Sequence, residues 1–112
     1  MELTVLAVPG CPNAPELERR LAVVLAGRPA ATVTRQVITD AGEAARWGMH
    51  GSPTLLVNGQ DPFAEPGAAT AVACRLYRGE DGRPQGAPTE AALRLALDQA
   101  DAGTPGRGSR IP

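Results

Sequence analysis

The sequence predicts an α/β domain: a four-stranded mixed sheet in the order β-α-β-α-β-β-α, with helices on both faces. Three observations predict it. Residues 3–8, "LTVLAV", are apolar on both alternating faces, as in a central strand buried on two sides. Two strand-then-helix units follow one another in the first half, and a right-handed crossover between them makes a parallel pair. Two further apolar strands and a closing helix occupy the second half, and those strands are expected to add in antiparallel fashion.

Each element has its own justification. Pro9-Gly10 ends the first strand. Leu17, Leu21, Val24 and Leu25 then recur at helical spacing, opposite Glu16, Glu18, Arg19 and Arg20. Asn13 with Glu16 three residues later resembles a capping box, and Gly27 with Pro29 stops the helix. Residues 31–38, "ATVTRQVI", are β-branched and read as the second strand. Asp40 with Glu43 is another capping-box start, opening a short helix that ends at Gly48, with Trp47 as its expected core anchor. "MHGSP" reads as a turn, "TLLVNG" as a strand with Asn58-Gly59 turning out of it. Residues 60–70 form a proline- and glycine-rich loop. Residues 71–78 read as the fourth strand, with Val72, Cys74 and Leu76 on one face and Ala73, Arg75 and Tyr77 on the other. After a loop, "GEDGRPQG", residues 89–100 form the last helix, with Leu93, Ala96, Leu97 and Ala100 inward. The expected domain spans residues 1–100, and residues 101–112 read as a disordered tail.

Composition narrows the function classes. Hydrophobic residues are 43% and charged residues 21%, which favours a folded soluble domain over disorder. No apolar run approaches the roughly 20 residues of a membrane helix. The start, Met-Glu-Leu-Thr, has no basic segment before an apolar one, so a cytoplasmic location without a membrane partner is expected. All 11 basic residues are arginine, a bias that fits GC-rich coding along with the abundant Ala, Gly and Pro. They are scattered, and the aromatics are only Trp47, Phe63 and Tyr77, so no nucleic-acid partner is expected. His50 is the only histidine and no C-x-x-C pair exists, so no four-ligand zinc site can be built from sulfur and imidazole. No metal or other cofactor is expected.

The chemistry-bearing candidate is Cys11, which sits at the strand-to-helix turn. The first turn of a helix presents unpaired N–H groups and the positive end of the dipole, and both favour thiolate over thiol. The alternative is a small buried hydrophobe. The helix start decides between them, and two starts compete. With Pro12 opening the first turn, Cys11 feels the helix amides. With Asn13 as the cap, Pro15 sits safely in the first turn and Cys11 lies outside it. The first start is the expected one. Cys74 also has two readings: a core side chain in phase with Val72 and Leu76, or the partner of Cys11. His50 near the thiol reads as a base or as a surface histidine, and Asp61-Pro62-Phe63 as a substrate rim or a plain loop.

The element order, the cysteine after the first strand and the "GSPT" turn before the third resemble the thioredoxin fold over residues 2–100. More narrowly, "GCPN", "GSPTLLVNGQDPF" and "ACRLYR" resemble a group of small bacterial thioredoxin-like proteins often labelled alkylmercury lyase. The resemblance implies a cis Pro53 packed beside Cys11. It implies that Pro12, Asn13, Ser52, Pro53 and Thr54 bind substrate, the Ser52 backbone pairing with an extended segment as in strand addition. The Ser52 hydroxyl then either touches the thiolate or caps the turn. It also places Cys74 on an edge strand, separated from the first strand by the third, at roughly 9–10 Å between axes. One departure is plain: Cys11-Pro12-Asn13-Ala14 has alanine where a C-x-x-C motif has its resolving cysteine. A lone thiol forms a mixed disulfide and needs a second thiol to release it.

The expected function is therefore that of a monothiol redox protein. Cys11 attacks a disulfide or soft electrophile, Cys74 is a candidate second catalytic thiol, and the partner is a disulfide-bearing protein or a small thiol. Two alternatives stand beside it. One is a non-catalytic module holding a soft ion, mercury(II) or copper(I), or a protein partner. The other is organomercurial lyase-like cleavage, which needs two cooperating thiols and a proton donor.

Overall fold

The computed structural model describes residues 1–103. The chain is mixed α/β. Its central strand, β1 (Glu2–Ala7), pairs parallel with β2 (Thr32–Val37) and antiparallel with β4 (Thr54–Val57), giving a three-stranded sheet in the order β2-β1-β4. α1 (Ala14–Val24) and α3 (Glu90–Gly103) cover one face and α2 (Ala41–Trp47) the other. This division follows from strand alternation. Leu3, Val5 and Ala7 of β1, with Leu55 and Val57 of β4, pack against Leu17, Leu21, Leu93 and Leu97. Leu6 and Leu56 turn the other way, onto Ile38, Ala44 and Met49.

The helix signals differ in outcome. At α2 the Asp40 carboxylate accepts the Glu43 amide (2.8 Å), while the Glu43 carboxylate accepts the Thr39 amide and hydroxyl (both 2.7 Å). Gly48 closes α2 in the left-handed region, φ 75°. At α1 the box does not form. Asn13 is the cap residue, but its backbone is helical and its side chain makes no cap bond. Glu16 pairs with Arg19 and Arg20 instead. Thr89 caps α3 through the Ala92 amide (3.0 Å).

The fourth strand is where expectation and structure part. Residues 71–78 are not one strand and do not join β4. β5 (Ala71–Cys74) runs parallel to β3 (His50–Ser52), a short strand inside the segment expected as a turn. The chain then breaks, and β6 (Tyr77–Arg78) forms a small antiparallel ribbon with β7 (Pro84–Gln85), inside an expected loop. Val72 packs partly buried on the core and Ala73 is exposed, as expected, but the faces reverse from Cys74 on: Cys74 and Leu76 are exposed, whereas Tyr77 is buried and Arg75 mostly so. Trp47, the expected core anchor, is 40% exposed; α2 uses Ala44 as its buried contact instead. α3 continues past residue 100 to Gly103, and residues 104–112 of the expected tail lie outside the described residues. Among the described residues no helix is long and apolar enough to cross a membrane.

Candidate functional site

The site residues converge where β1 leaves the sheet and β3 enters β4. After Val8 the chain turns through Pro9-Gly10, with Gly10 at φ 73°, a conformation that suits glycine. The Cys11 amide donates to the Val8 carbonyl (3.2 Å), closing the turn, and the Ala14 amide donates to the Cys11 carbonyl (3.4 Å). The helix begins at Ala14 with Asn13 as cap and Pro15 in its first turn. Cys11 therefore lies two residues before the cap, which corrects the expected start at Pro12. A helix interior would set Pro15 against the carbonyl four residues back, and the later start avoids this. The dipole's influence fades within a turn, so α1 offers Cys11 less than a cap position would.

Cys11 is a free thiol, 8% exposed, packed within the α1–α3 core cluster. Pro12 beside it is exposed, and Asn13 is half-buried with its amide pressed on Gly86. That contact leaves the Asn13 side chain occupied where a capping bond was expected. Across the gap the Ser52-Pro53 bond is cis, and Ser52, Pro53 and Thr54 are buried. The two turns are joined directly: the Val8 amide donates to the Ser52 hydroxyl at 3.1 Å. Ser52 thus holds the Cys11 turn through its backbone.

Cys74 is a free, exposed thiol rather than a core side chain. It is the register partner of Ser52 in the β3–β5 pair, one strand spacing from the residue before Pro53. The structure thus places Cys74 beside the Ser52-Pro53 turn, and gives the two cysteines opposite exposure. His50 is half-buried, its Nδ1 3.2 Å from the Ala69 carbonyl.

A cluster that sequence reasoning did not assemble stands behind the turn. Arg75 reaches inward from just after β5. Its guanidinium meets the Asp61 carboxylate at 2.6 Å, donates to the Phe63 carbonyl (2.9 Å) and to the Thr54 hydroxyl (3.2 Å), and lies over the Tyr77 ring, 4.7 Å from its centroid. The Arg75 and Asp61 side chains are only 10% and 4% exposed. Tyr77 donates its hydroxyl to the Pro53 carbonyl at 2.5 Å and takes Phe63 edge-on, ring centroids 5.7 Å apart. Burial pushes the Tyr77 phenol well above its ordinary range, so it stays a protonated donor. The signal for this cluster was Arg75 and Tyr77 sharing one face, together with an acid in the preceding loop. Asp61-Pro62-Phe63 is therefore an anchored segment, its acid turned into the protein.

Arg35 of β2 forms a two-pronged pair with Glu18 of α1 (2.8 and 2.7 Å), which raises the guanidinium above its ordinary value. Among the described residues no group of three or more His, Cys, Asp or Glu side chains is placed to hold a metal ion. In comparisons with protein-family models, curated proteins and solved structures, nothing matches this chain.

Proposed function

We propose that this chain is a thioredoxin-like monothiol redox protein in which Cys11 is the nucleophile toward disulfides or compact soft electrophiles. The observation that carries the reading is the junction of the two turns: the hydrogen bond between Val8 and Ser52 sets the Cys11 turn against the cis Ser52-Pro53 bond. The resemblance implies Pro53 beside Cys11, and the Val8–Ser52 bond, between residues 44 apart in sequence, supports that reading. Pro53 and Thr54 are buried, and Pro12 beside Cys11 is exposed. Because Ala14 cannot resolve a mixed disulfide, release falls to a second thiol, either from solution or Cys74, the register partner of Ser52.

One observation favours a non-catalytic reading: Cys11 lies outside the α1 cap and is mostly buried, so the fold gives it fewer amides than an activated cysteine usually has. A disulfide-reduction assay with a small thiol as reductant separates the two. The redox reading expects turnover in the wild type, its loss in Cys11→Ser, and a slowed release step in Cys74→Ser if Cys74 is the resolving group. Equal rates for wild type and Cys11→Ser would leave a binding module.

A further inference from the structure

We infer that β2 is a self-association edge: two copies of this chain pair β2 with β2, antiparallel about a two-fold axis, into one continuous sheet ordered β4-β1-β2-β2-β1-β4. The inference goes beyond the redox reading and does not depend on it. Among the described residues β2 pairs with β1 alone and ends the sheet. The Thr32 amide donates to the Met1 carbonyl (3.0 Å) and the Ile38 amide to the Ala7 carbonyl (2.9 Å). Backbone groups alternate in direction along a strand, so residues 32, 34, 36 and 38 face β1. Val33, Arg35 and Val37 therefore turn their amides and carbonyls to the open edge.

Edge strands avoid pairing through a proline, a bulge, an unmatched charge, short length or a covering segment. β2 runs six residues without proline, and its register with β1 is unbroken from Thr32 to Val37. Its one charge, Arg35, is matched by Glu18 of α1. The Val37 carbonyl accepts the Gln36 side-chain amide at 3.3 Å, a long contact that a backbone amide can replace.

The edge is complementary to itself, which makes a second copy the occupant. Among antiparallel registers that join outward residues, one engages all three: Arg35 lies opposite Arg35, and each Val33 lies opposite Val37 of the second copy. It forms about six main-chain hydrogen bonds. Val33 and Val37 share the α1 side of the sheet with Arg35 and are 43% and 44% exposed, so the same register covers two valine pairs. Charge agrees as well. Each Arg35 arrives with its own Glu18, so the centre is neutral. Nε and Nη2 of Arg35 hold that carboxylate (2.8 and 2.7 Å), which leaves Nη1 to reach the second copy's Glu18.

Sedimentation velocity and amide hydrogen exchange on the full chain test this. The wild type is expected to sediment as a dimer, and a chain that stays monomeric up to about 1 mM overturns the inference. In the dimer the Val33, Arg35 and Val37 amides are expected to exchange about tenfold more slowly than on dilution to monomer, while the Thr34 amide, turned to β1, changes little. A dimer that leaves those three amides unprotected overturns the inference. Val33→Lys and Val37→Lys, each at an exposed position, are expected to weaken dimerisation by about tenfold. Val33→Glu with Val37→Lys in one chain sets opposite charges face to face twice across the axis, and is expected to dimerise about tenfold more tightly than either lysine variant. Dimerisation that ignores the lysine variants, or a double variant no tighter than they are, overturns the pairing.

Discussion

Replacing Asp61 with alanine is expected to destabilise the fold by about 3–5 kcal/mol, the cost of breaking a buried ion pair from one side. The structure sets the magnitude. Exposed pairs are worth under about 1 kcal/mol because water screens both charges, but here the Asp61 and Arg75 side chains are 4% and 10% exposed. Without the carboxylate, the Arg75 guanidinium keeps two neutral acceptors, the Phe63 carbonyl and the Thr54 hydroxyl. The Phe63 amide also loses its acceptor, Asp61 Oδ1 at 2.9 Å. A domain of this size is stable by about 5–15 kcal/mol, so the loss is a large share. Urea unfolding followed by circular dichroism reads it as a midpoint shift of more than about 1 M, given a slope of about 1–3 kcal/mol per molar. The double variant Asp61→Ala with Arg75→Met removes the stranded charge and is expected to recover part of the loss. A single-variant cost below about 1 kcal/mol, or a double variant weaker than the single one, would refute the view that this pair works as a desolvated unit.

Three further outcomes are expected. Gly86→Ala places a Cβ 2.3 Å from Asn13 Cγ; the overpacking is expected to cost about 1–3 kcal/mol, and a second change, Asn13→Ala, to return most of it in a thermal melt. Tyr77→Phe removes the donor to the buried Pro53 carbonyl; a loss of about 1–3 kcal/mol in urea unfolding is expected, and an unchanged midpoint would show that the carbonyl finds another donor. Glu43 is held below its ordinary value of 4.5 by hydrogen bonds from the Thr39 amide and hydroxyl. A lowered carboxylate contributes fully above the unfolded-state value and loses its contribution as pH falls through the folded-state one. The stability advantage of the wild type over Glu43→Gln is therefore expected to shrink between about pH 6 and about pH 3; urea midpoints at both ends measure it, and a constant difference contradicts the assignment.

The legible parts of this chain are those whose signals are local. The α2 cap and stop were readable because Asp40, Glu43 and Gly48 act within one or two turns of each other. β1 was readable because both its faces are apolar, and α1 and α3 because Leu17, Leu21, Leu93 and Leu97 keep helical spacing. The Asn13 box did not form because the Asn13 backbone is helical and Glu16 is engaged by Arg19 and Arg20. The core reading of Cys74, one of the two the sequence offers, rests on the apolar residues at 72, 74 and 76. The opposite face won because a charged residue can be buried when its partner arrives with it, and Asp61 comes from a loop whose position no periodicity reveals. Trp47 followed the same logic in reverse, since the small Ala44 fills the inner face of a helix too short to bury both.

The sequence by itself determined the helices, the central strand and the two candidate turns, one bearing Cys11 and the other Ser52-Pro53, because propensity, alternation and capping act between neighbours. Only the tertiary structure decided which edge β5 joins and that Arg75 rather than Cys74 faces inward. Those choices rest on hydrogen bonds and an ion pair between segments distant in sequence, and such pairings exist only once the chain has closed on itself.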